Sequence, residues 1–69
     1  DIVERILDDF KSGREDSTSF WINFKGVFVH IRYFAVRDED GKYLGTLEMT
    51  QDVTGIRELS GERRLLEYD

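Results

Sequence analysis

Near Ser19 the spacing of apolar residues changes from helical to alternating, and no other feature of the chain narrows its fold as much. Before that point Val3, Ile6, Leu7 and Phe10 recur at i, i+3, i+4 and i+7, one stripe of a helix. After it Phe20, Ile22 and Phe24 alternate with Ser19, Trp21 and Asn23, the pattern of a strand with one apolar face. Lys25-Gly26 then reads as a tight turn. A two-residue loop pairs Phe24 with Val27, Ile22 with Val29 and Phe20 with Ile31, so all six share a face. A slip of one residue destroys that agreement, because it sends every side chain of the strand to the other side.

The helix is expected over residues 1–12, with Asp1 as its cap and Gly13 as a left-handed stop. A second strand, Val27 to Arg37, returns through Asp38-Glu-Asp-Gly41. A three-residue loop with Gly41 in a left-handed bulge position sets Ile31 against Met49, Tyr33 against Leu47 and Arg32 against Glu48. A four-residue loop instead sets Arg32 against Leu47 and Ile31 against Glu48, which mixes charge with apolar groups, so the shorter loop is preferred. Asp52 to Gly55 reads as the strand exit, with Asp52 or Thr54 able to cap a following helix. Ile56, Leu59 and Leu66 keep roughly heptad spacing in a charged tail, with Arg63 interrupting the spacing and Ser60-Gly61 opposing a continuous helix. The expected fold class is α+β: one N-terminal helix on a three-stranded antiparallel meander, with a short C-terminal helix. Val3, Ile6, Leu7 and Phe10 are expected to pack on Phe20, Ile22, Phe24, Val27, Val29, Ile31, Tyr33, Leu47 and Met49.

Composition bounds what such a domain can do. Sixty-nine residues make one small domain, and chains of this size bury too little surface to be more than marginally stable. Cysteine is absent and there is a single histidine, which removes disulfides, thiolate metal sites and histidine clusters. Small domains without such staples often gain stability by oligomerising. A net charge of −5 argues against nucleic acid as a partner. The apolar runs are too short to span a bilayer, no signal peptide is visible, and a soluble cytoplasmic domain is expected. The chain starts at Asp1 without methionine and reads as a piece of something longer.

The order helix, three antiparallel strands, Asp-Val-Thr and charged tail resembles the C-terminal half of a PAS domain, the small α/β module of sensor proteins. Val36-Arg-Asp-Glu-Asp-Gly-Lys-Tyr-Leu-Gly45 looks like the penultimate turn of that family, and Gln51-Asp-Val-Thr-Gly-Ile-Arg57 looks like its closing Asp-Ile-Thr motif. The details are most similar to PAS domains that follow a hemerythrin-like domain in uncharacterised prokaryotic proteins. The resemblance implies a half-PAS unit over 1–55 and a linker or signalling helix over 56–69. A complete PAS domain carries two further strands ahead of this helix, with its last strand flanked by the first. Residues 43–52 are therefore expected as an unpaired edge, a template for another chain. A homodimer is the expected assembly.

The resemblance also implies a small-molecule pocket in an intact PAS domain, lined here by Val29, Ile31, Tyr33, Leu47 and Met49. In this short chain those residues are needed as core, and no cofactor is assigned. Interface candidates are Trp21, Phe28, His30, Phe34, Val36, Tyr43 and Leu44, because several large apolar groups on the outer sheet face point to a surface covered either by a partner or by the tail helix folding back. Those of the outer face are expected among Asn23, His30, Arg32, Thr46, Glu48 and Thr50. His30 reads as an ordinary strand histidine beside Trp21. Asp38-Glu-Asp-Gly41 lacks the length of a calcium loop, and no serine–histidine–acid set or phosphate-binding glycine loop is present. No catalytic or metal residue is assigned, and an enzyme is not expected. The sequence points to a sensory or dimerisation module of a signalling protein. The alternative is a ligand-free protein-interaction module using the 43–52 edge or the outer sheet face.

Overall fold

A computed structural model describes residues 1–65. Helix α1 spans Ile2–Ser12, strand β1 Ser17–Phe24, β2 Val27–Arg37 and β3 Tyr43–Asp52, and a single turn of helix, α2, covers Thr54–Arg57. The three strands form one antiparallel sheet in the order β1-β2-β3. The expected helix, meander and short second helix are all present.

Both ends of α1 carry the chemistry that orphan helix groups require. The Asp1 carboxylate accepts from the Glu4 N–H at 2.9 Å, and Gly13 closes the helix in the left-handed conformation with φ 80°. At the β1–β2 turn Lys25 and Gly26 both have positive φ, 51° and 84°. Such turns match the natural twist of a hairpin. The register is the expected one: Phe24 opposes Val27, Ile22 opposes Val29 and Phe20 opposes Ile31.

The second hairpin begins as expected and then departs. Gly41 is left-handed at φ 85°, the Asp38 N–H donates to the Lys42 carbonyl at 3.0 Å, and Arg37 opposes Tyr43. A bulge follows: Val36 opposes Gly45, leaving Leu44 as the extra residue. From there every pair lies one residue away from the expected register. Ile31 opposes Thr50, Arg32 opposes Met49, Tyr33 opposes Glu48 and Phe34 opposes Leu47. Because alternate residues face opposite ways, the bulge moves Leu47 and Met49 to the outer face, and Thr46, Glu48 and Thr50 to the helix side.

The core is consequently smaller than the sequence pattern implies. Ile6 and Phe10 are the buried apolar residues among those described, with Phe10 wholly enclosed. Val3, Ile22, Phe24, Val27, Leu47 and Met49, all expected as core, are exposed. The helix lies at one end of the sheet, held by Arg37, whose guanidinium donates to the Phe10 carbonyl at 2.7 Å and to the Asp16 carboxylate at 2.9 Å. The tail also differs from expectation. Helix is confined to Thr54–Arg57, residues 58–65 are non-helical, and Gly61 adopts φ 67°, which a helix interior does not accommodate. Residues 66–69, part of the expected 56–69 helix, lie outside the described ones. Among the described residues no helix is long and apolar enough to cross a membrane.

Candidate functional site

Three surfaces of this sheet have functional potential: the helix-side face, the outer face and the free edge of β3. On the helix side, Val29, Ile31 and Tyr33 share the face with Phe20, Ile22 and Phe24, as expected from their register. Leu47 and Met49 do not join them, so the five expected pocket residues are divided between two faces. Glu48 takes their place. The Tyr33 hydroxyl donates to Glu48 Oε1 at 2.6 Å, and its ring stacks with that of Phe20 at 6.0 Å between centroids. The bond to Glu48 raises the Tyr33 pKa above the ordinary phenol value, with some desolvation and the carboxylate charge acting in the same direction. Two clefts lie farther along, between α1 and β1. One, of ≈ 300 Å³, is lined by Ile6, Asp9, Phe10, Glu15, Ser17 and Thr18. The other, of ≈ 220 Å³, is lined by Ile2, Arg5, Ile6, Asp9, Thr18, Ser19 and Phe20. None of the five expected pocket residues lines either.

The outer face carries most of the interface candidates. Trp21 is 61% exposed and sits beside His30, their ring centroids 6.3 Å apart. Phe28, His30 and Phe34 are half-buried, while Val36 and the bulged Leu44 are exposed. Tyr43 belongs elsewhere: it opposes Arg37 on the helix side, half-buried, its hydroxyl 2.6 Å from that of Thr46. In the middle of the outer face Arg32 reaches across to β3, donating to Met49 Sδ at 2.8 Å and Gln51 Oε1 at 3.2 Å. Its Nε is buried and has no acceptor.

At the strand exit the Asp-Val-Thr segment is tied down without the expected helix cap. The Thr54 hydroxyl and N–H both donate to Asp52 Oδ1, at 2.6 and 3.0 Å. Those bonds, the hydroxyl first, hold the Asp52 carboxyl below its usual range. Thr54 Oγ1 accepts from the Phe28 N–H at 2.8 Å, and the Val53 N–H donates to the Phe28 carbonyl at 2.8 Å. The backbone groups at the start of β2 are thereby satisfied by the exit segment. Arg57 lies 4.0 Å from the centroid of the Phe28 ring, completing the attachment.

Sequence reasoning missed the roles of Arg37 and Arg32. Arg37 closes the last turn of a helix distant in sequence, a long-range role without a local signal. The sequence pattern sets Arg32 opposite Glu48, and the bulge takes that carboxylate partner away. Among the described residues no group of three or more carboxylates, imidazoles or thiols is placed to hold a metal ion.

β3 has a neighbour on one side only, β2. Its ten residues are therefore an open edge of the described chain.

Comparison with known proteins agrees with this architecture. The family model described as a PAS domain matches residues 1–54. A similar solved structure is a crystal structure of a C-terminal domain from Streptococcus mutans, with TM-score 0.75 and 33% identity. The match covers 84% of this chain and 45% of that one, so the present chain spans about half the length of its solved relative. No curated protein matches. With the family model covering the helix, the whole meander and the Asp-Val-Thr exit, the chain belongs to the PAS domain family.

Proposed function

We propose that this chain is the assembling part of a cytoplasmic PAS sensor or regulator, working by binding rather than catalysis and pairing with a second copy of itself. The observation that carries this reading is the free edge of β3. A strand of ten residues with one neighbour offers a row of backbone donors and acceptors to another strand. An antiparallel pairing of two β3 edges is isologous and closes as a two-fold dimer. Output then leaves through Asp52-Val53-Thr54, the point at which the sheet is tied to the tail.

A second reading, a ligand-free interaction module, is favoured by one feature of the helix-side face. Val29, Ile31 and Tyr33 line neither cleft, and the Tyr33 hydroxyl is already engaged by Glu48. Native mass spectrometry separates these readings because it reports assembly and bound mass together. A dimer with an added small-molecule mass supports the sensory reading, and a dimer at its bare mass supports the interaction reading. A stable monomer at micromolar concentration overturns both forms of the dimer proposal.

A further inference from the structure

The outer face of the sheet has a charge pattern that does not match itself. Arg32 sits at its centre, held by the sulfur of Met49 and the amide oxygen of Gln51, two neutral acceptors. Arg57 stands over Phe28 at its margin. No Asp or Glu occupies an outward register position on any of the three strands. Yet the chain contains 15 acidic and 10 basic residues and is acidic overall. Its sheet carboxylates, Glu48 and Asp52, oppose Tyr33 and Val29 on the other face.

The surroundings of Arg32 strengthen the asymmetry. Trp21, Leu47 and Met49 are exposed by 61%, 53% and 39%, so the cation is bordered by apolar surface that water covers at a cost. Its guanidinium carbon lies 6.0 Å from the Phe34 ring. Arg32 Nε is buried without an acceptor, although a buried donor is ordinarily satisfied. Docking two such faces on each other would enclose arginines against arginines with no carboxylate between them. Uncompensated buried charge is strongly unfavourable.

We infer that the outer face is a heterologous site for an acidic, apolar segment of a partner protein. A partner carboxylate pairs with Arg32 while neighbouring leucine-like or aromatic side chains cover Trp21, Leu47 and Met49. The guanidinium is suited to this role because it presents a planar fork to a carboxylate. The site uses outward side chains of β3 and leaves the strand's free backbone edge unoccupied, so the two assemblies can coexist and fail independently.

Trp21 is the single tryptophan of the chain and lies inside the site, so its fluorescence reports occupancy directly. The test titrates the full chain with two synthetic amphipathic peptides. Both carry leucine at the apolar helix positions; one has glutamate and the other lysine at the polar ones. The glutamate peptide is expected to shift Trp21 emission and to bind about tenfold or more tighter than the lysine peptide, weakening as salt is added. R32Q should remove most of that preference, and R32E should reverse it in favour of the lysine peptide. Native mass spectrometry of R32E should still show the dimer. Equal binding of both peptides, binding of neither, or a preference unchanged in R32E overturns the proposal. A Trp21 shift driven by protein concentration alone also overturns it, because that places a second copy on this face.

Discussion

Phe10 is the one side chain of the described chain with no exposed surface, and the attachment of α1 to the sheet centres on it. Removing its ring should cost about 3–5 kcal/mol, a large part of the stability of so small a domain. F10A is therefore expected to be largely unfolded, as read from loss of far-ultraviolet dichroism and of cooperative urea unfolding. Tyr33 offers a milder probe. Its bond to Glu48 stabilises the protonated phenol and raises the folded pKa, so this contribution to stability is fully present below the unfolded pKa near ~10 and is lost as pH rises through the folded value. In an alkaline absorbance titration Tyr33 should ionise above the ordinary phenol range, and E48Q should bring it back toward that range. Asp52 has the opposite sign. Its folded pKa is lowered by Thr54, so its contribution is present above the unfolded carboxylate pKa and is lost as pH falls through the folded one. D52N should be less stable than the parent at neutral pH, and that difference should disappear in acid.

At the scale of elements, the first hairpin was legible because two independent signals agreed. Lys25-Gly26 favours a two-residue turn, and only that turn aligns Phe20, Ile22 and Phe24 with Ile31, Val29 and Val27. The limits of α1 were legible in Asp1 and Gly13 for similar reasons, since each supplies a backbone requirement that few residues meet. The second hairpin was legible at its turn but not beyond it. Residues 46–50 alternate Thr and Glu with Leu and Met, a pattern that by itself turns Leu47 and Met49 to the helix side, and the bulge at Leu44 overrides it. A bulge is a backbone event with little side-chain signature. Gly45, the residue next to it, is the sole local hint. Deleting Leu44 should remove the bulge and leave the remaining pairs in place, with Tyr33 still opposite Glu48 and its alkaline titration unchanged. A ladder that was merely misregistered would lose that pairing. The division of the expected pocket follows from the same event, as does the placement of Arg32 opposite Met49 rather than a carboxylate. Lys25 supplies a further test. At φ 51° it occupies a conformation that asparagine tolerates better, so K25N should stabilise the hairpin by about 0.5 kcal/mol in thermal unfolding.

The molecule as a whole is open. It exposes 6037 Å², where a folded protein of 8.1 kDa typically exposes about 4,500 Å². Its radius of gyration is 16.4 Å, against about 11 Å for a compact chain of this length. Such a molecule has much of its stabilising burial still to gain from association. If two copies pair as proposed, urea unfolding should depend on protein concentration, with a midpoint that rises as the concentration is raised. The double attachment of Val53 and Thr54 to Phe28 has a mechanical consequence. Tension applied through the tail meets those two bonds before it reaches the ladder between β2 and β3. They lie at the start of the central strand, so the pull is delivered to the middle of the sheet rather than peeling its edge. Displacement of the tail is thus converted into strain on β2, the one strand that touches both of the others.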